Sequence, residues 1–118
     1  MGLQWMDVDA AETLAGVVRL LRRAGELVWS AVDAEGVGSP RQVLGLGIDL
    51  AGDDARNLLP DAVSIEGPVP VEAEPAVLLR SAEQLLRRIS IPGARPAFDA
   101  LRARVAHLVC EANSSVDG

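Results

Sequence analysis

The stretch DAAETLAGVVRLLRRAGELVWSAVD, residues 9–33, separates into two faces when it is turned at about 100° per residue. Leu14, Val17, Val18, Leu20, Leu21, Ala24, Leu27, Val28, Trp29, Ala31 and Val32 cover an arc of roughly 200°. Glu12, Arg19, Arg22, Arg23, Glu26, Ser30 and Asp33 fill much of the remainder. A surface helix needs an apolar stripe only a little over about 100° wide. This helix therefore needs cover on two flanks, from the chain itself or from a partner. Asp9 and Glu12 stand at capping-box spacing, and Gly36 and Gly38 stop the helix near residues 33–35.

Beyond it, Ser39-Pro40-Arg41-Gln42 is a second start signal: Ser caps, Pro suits the first helical position, and Gln42 sits where a capping box closes. The run VLGLGIDL, 43–50, alternates like a strand, yet the start signal before it favours a short, wholly apolar, buried helix. In that reading Gly45 and Gly47 let the backbone approach the first helix. A separate helical turn is expected at 54–59, stopped by Pro60. Residues 60–75 form an irregular Pro/Gly-rich connection, with Val63, Ile65, Val69 and Val71 in short extended pieces.

Pro75 opens another long helix, with Leu78, Leu79, Ala82, Leu85, Leu86 and Ile89 on one stripe, and Pro92-Gly93 closes it. Pro96 opens the last, running to about Ala112. Phe98, Leu101, Val105, Leu108, Val109 and Ala112 form its main stripe, and Ala100, Ala103, Ala106 and Cys110 a second, small-residue face suited to close helix approach. The whole predicts one all-α domain over 1–118: a small up-and-down bundle of three long helices plus one short apolar helix. Residues 1–8 and 113–118 are expected to be loosely ordered, with Trp5 folded back on the bundle.

Composition narrows the function classes. The hydrophobic fraction, 49%, fills a core and argues against disorder. The chain is acidic, with 11 basic against 17 acidic residues and a net charge of −6, which makes a nucleic-acid partner a poor fit. No apolar run approaches the roughly 18 residues of a membrane span, and the N-terminal residues lack the basic-then-apolar pattern of a signal peptide. A single cysteine allows no internal disulfide, so a cytoplasmic location is the expectation. All basic residues are Arg, and the abundance of Ala, Val, Leu, Gly and Arg suggests a GC-rich, bacterial coding genome.

Residues that could carry chemistry are few. Arg102 and His107 form Arg-x4-His on a late helix, RARVAH, which resembles the motif of HEPN ribonucleases. The resemblance implies metal-independent RNA cleavage at a dimer cleft, with Arg102 stabilising phosphate and His107 transferring protons. Ala103 departs from it, standing where that family usually has a polar residue. The plainer reading makes His107 an exposed helix residue beside Glu111 at i+4. Asp49, Asp53, Asp54 and Asp61 match no calcium-loop spacing and read as capping and solvation, so no metal or other cofactor is expected. The glycines at 45, 47 and 52 form neither a phosphate loop nor a dinucleotide fingerprint. Residues 42–58 read as a helix-turn-helix with Gly52 at the turn would carry the wrong charge for a major groove. Cys110 reads as a buried small hydrophobe.

The sequence thus points to a non-enzymatic interaction or scaffold protein. It is expected to act as a homodimer and through another protein, with an interface formed by Leu20, Leu27, Ala31 and Ala103. The alternatives are the ribonuclease and a small-ligand-binding bundle with a pocket lined by Leu residues and Trp29.

Overall fold

The computed structural model describes residues 8–35, 40–59, 74–89 and 96–117, and among them every regular element is helical. Helix α1 spans Val8–Glu35, α2 Pro40–Leu58, α3 Pro75–Arg88 and α4 Pro96–Asp117. The expected extended pieces between 60 and 73, and Trp5, lie outside the described residues.

Local chemistry explains most boundaries. Pro40, Pro75 and Pro96 each open a helix, where a missing N–H costs nothing. The Glu74 carbonyl accepts from the Val77 and Leu78 amides at 3.1 and 3.2 Å, closing the first turn of α3. Buried Ile89 leaves the end of α3 in extended backbone, its amide donating to the Leu86 carbonyl. At the other end of the chain, the last helix runs on to Asp117, beyond the expected end near Ala112.

Helix α2 departs from the sequence reading. It is one helix of 19 residues, so the expected short helix and the separate turn at 54–59 merge into a single element, with no bend at Gly52. Nor is its apolar run wholly buried. Leu44, Ile48, Ala51 and Ala55 enter the core, whereas Val43, Leu46 and Leu50 are 62%, 51% and 53% exposed. The large apolar side chains of residues 43–50 cover roughly 200° of the helix, and only one arc can face inward.

The helices form a four-membered ring in which α1 touches α2 and α3, and α4 touches the same two. Neighbours run antiparallel. Leu21 lies by Gly52, Ile48 and Asp49 by Gly25, and Trp29 by Gly45, so α2 descends along α1. Leu108 by Gly47 and Arg104 by Asp54 set α4 against α2 in the same manner. The short link between α3 and α4 makes them a hairpin. The bundle consequently runs up, down, down, up, with α2 and α3 on one diagonal, a different order from simple alternation. The end of α2 and the start of α3 consequently lie at opposite ends of the bundle.

Inside the ring, Leu14, Leu21, Ile48, Leu78, Leu79, Leu86, Leu101 and Val105 are almost fully buried, and no buried residue among those described is polar or charged. Each large side chain so buried contributes about 1.5–3 kcal/mol. The broad apolar arc of α1 finds both its flanks within the chain: α2 covers one and α3 the other.

Candidate functional site

The surface most out of keeping with a closed bundle is on α2. Val43, Leu46 and Leu50, at i, i+3 and i+7, stand on one outward arc about 60° wide. They are the large hydrophobic side chains exposed among the described residues. The helix is held from both sides at close range. A Cβ on Gly45 would stand 2.9 Å from Cε2 of Trp29, and one on Gly47 would stand 2.7 Å from Cδ2 of Leu108. Glycine here serves helix approach on two flanks, toward α4 as well as the expected α1.

The stripe has chemically distinct borders. On the α1 side, Trp29 Nε1 donates to Asp49 Oδ2 at 2.9 Å, and exposed Asp53 follows one turn later. On the α4 side, Arg104 Nε meets Asp54 Oδ2 at 3.3 Å. Glu111, two turns beyond Arg104 on the same face, accepts from His107 Nε2 at 2.8 Å. The α1 edge carries Asp49 and Asp53, and the α4 edge holds the carboxylates of Asp54 and Glu111 beside Arg104 and His107.

The residues singled out in sequence are dispersed. Leu20 and Leu27 are half-buried against the core, and Ala31 is half-buried on the same helix. Ala103 is exposed on α4, diagonal to α1, so these four residues share no single face. Arg102 lies over the Phe98 ring, 5.9 Å from its centroid. Five residues on a helix turn about 500°, which leaves Arg102 and His107 roughly 140° apart; Arg102 borders α3, while His107 pairs with Glu111 as the i+4 spacing predicts. One chain does not bring them together.

A hollow of about 290 Å³ between α3 and α4 is lined by Glu83, Leu86, Arg87, Asp99, Arg102, Ala103 and Ala106. Its walls are charged and Trp29 is not among them, so it differs from the Leu- and Trp29-lined pocket of the ligand-binding reading. Arg87 is engaged by Glu83 at 3.7 Å.

Cys110 is exposed rather than buried, because it lies far around α4 from the core stripe of Leu101, Val105 and Leu108. With Ala100 and Ala103 it leaves most of the small-residue face uncovered by the chain. Asp49 and Asp53 share the α1 side of α2 while Asp54 faces α4, and no group of three or more His, Cys, Asp or Glu side chains among the described residues is placed to hold a metal ion. No described helix is long and apolar enough to cross a membrane. Neither a protein-family model, nor a curated protein, nor a solved structure matches this chain.

The exposed stripe is the feature that sequence reasoning missed. Its signal was present: an apolar arc of roughly 200° on a helix is wider than one core can take. The α1 arc, of similar width, meets α2 and α3 on its two flanks.

Proposed function

We propose that this protein is a non-catalytic helical interaction module that works through self-association, with α2 as its docking face. A cytoplasmic scaffold role and the binding of a further protein belong to the same reading. The observation that carries it is the outward stripe of Val43, Leu46 and Leu50. Three large apolar side chains aligned on one helix face lose favourable free energy to water that a partner surface recovers. The face differs from the α1 surface expected from sequence, since Leu20 and Leu27 already pack on the core.

The test is sedimentation of the wild type and Leu46→Glu over a wide concentration range, with circular dichroism of both. Leu46 is half exposed, so the charge leaves the folded monomer intact and removes the association. A wild type that stays monomeric at high micromolar concentration refutes self-association. A dimer indifferent to Leu46→Glu refutes the docking face.

A further inference from the structure

We infer that the hollow between α3 and α4, apart from the α2 face, is a binding site for a small zwitterion of the α-amino acid class. The hollow exists because Ala103 and Ala106 of α4 are too short to fill the space in front of Leu86 on α3. Its volume, about 290 Å³, falls at the low end of ligand sites and suits a molecule of amino-acid size rather than a nucleotide. Each wall carries one carboxylate and one guanidinium: Glu83 and Arg87 on α3, Asp99 and Arg102 on α4. Opposite charges thus stand on opposite walls, yet among the described residues no ion pair crosses the hollow. The pair formed there, Glu83 with Arg87, lies within α3.

The balance of charge selects the ligand. An ion of one sign is attracted by two of the four groups and repelled by the other two, whereas a zwitterion gives each of its ends a partner. Depth then assigns the ends. Glu83 is recessed, its side chain 21% exposed against 68% for Arg87. Their contact of 3.7 Å is longer than the roughly 2.8 Å of a tight charge-assisted bond, so the Glu83 carboxylate keeps acceptor capacity for an ammonium group. Arg102 lies over the Phe98 ring, 5.9 Å from its centroid, and pairs with no carboxylate among the described residues. Its planar fork takes the ligand's carboxylate. Leu86, Ala103 and Ala106 leave an apolar floor for an aliphatic side chain. Water reaches the rim and screens the charges, so the dissociation constant should be about 1 mM.

Three probes test this: L-leucine, leucinamide, which lacks the carboxylate, and N-acetyl-leucine, which lacks the ammonium. Each is titrated into the full chain and followed by the NMR amide signals of Ala103 and Ala106. Leucine should saturate, and each blocked probe should bind at least about fivefold more weakly. Glu83→Gln should weaken leucine about fivefold and leave N-acetyl-leucine unchanged, because that probe has no ammonium to lose a partner. Arg102→Gln should weaken leucine to a similar extent and leave leucinamide unchanged. Neither side chain is buried, so both variants should fold, which circular dichroism checks. Leu46→Glu, on the other side of α4, should alter none of these constants, so a failed docking face and a failed ligand site are told apart. Absence of a saturable shift with leucine up to about 10 mM overturns the site. Equal binding of the three probes overturns the zwitterion. Variants that weaken every probe alike overturn the roles given to Glu83 and Arg102.

Discussion

Two glycine substitutions seven residues apart on α2 should move stability in opposite directions. Alanine is favoured over glycine within a helix by about 1 kcal/mol. Gly52→Ala should realise most of that gain, because the nearest atom to the new Cβ is Cβ of Leu21 at 4.0 Å, an ordinary contact. Gly45→Ala gains the same propensity but meets the indole of Trp29, with Cε2 at 2.9 Å and Cζ2 and Nε1 at 3.2 Å. A rigid ring cannot bend aside as a leucine tip can. Overpacking of this kind costs about 1–3 kcal/mol. If the ring swings out, its hydrogen bond to Asp49 goes too, at about 0.5–1 kcal/mol for a bond open to solvent. The net for Gly45→Ala is a loss of about 1 kcal/mol, and the two variants should differ by about 2 kcal/mol, or roughly 8 °C in Tm for a chain of this size. Urea unfolding followed by far-UV circular dichroism measures both. In a Trp29→Ala background the clash disappears and Gly45→Ala should become stabilising. If Gly45→Ala stabilises the wild type as much as Gly52→Ala does, Trp29 does not clamp α2 and the account of its close approach is wrong.

Leu79→Ala, at a fully buried site on a helix packed against α1 and α4, should cost about 2–5 kcal/mol and unfold the domain near ambient temperature or shortly above it; a loss under about 1 kcal/mol in urea titration would contradict the core assignment. His107→Ala should change stability by less than about 0.5 kcal/mol, since the exposed pair with Glu111 is screened by solvent, and a larger change in the same titration would give that pair a structural role. Cys110 should react with a thiol reagent in native protein without denaturant, and protection there would place a partner on the small-residue face of α4.

The helices opened by proline were legible because proline at the first turn sacrifices no hydrogen bond, and Pro75 and Pro96 stand where they were read. The width of the α1 arc was legible as well, and so was its need for two covering neighbours. Helix α2 was not. Gly45, Gly47 and Gly52 each lower local helix preference, and summed along the segment they mimic a boundary. What outweighs them is tertiary: Trp29 from one side and Leu108 from the other occupy the space that side chains would have taken. Periodicity also cannot rank two apolar arcs on one helix, so Leu46 looked as central as Ile48. The exposure of Cys110 was lost for a related reason, since a small residue reads alike on a packed face and an open one. The down–down step from α2 to α3 is written in contacts between distant residues, and the spacing within one element holds no trace of it.

That diagonal step divides the molecule into two helical hairpins, α1 with α2 and α3 with α4, tied by residues 60–73. Each hairpin alone offers half a core to water, with Leu14, Leu21 and Ile48 on one side of the seam and Leu79, Leu86 and Leu101 on the other. The tether turns their meeting into an intramolecular event at an effective concentration of about millimolar. Below that level of protein each chain closes on its own complement. As the protein concentration approaches it, a hairpin from a neighbouring molecule competes on equal terms, because the seam it fills is the same. Exchange of whole hairpins is therefore the assembly error to which this topology is most open. Shortening the tether until it no longer reaches across the diagonal would convert that error into the ground state.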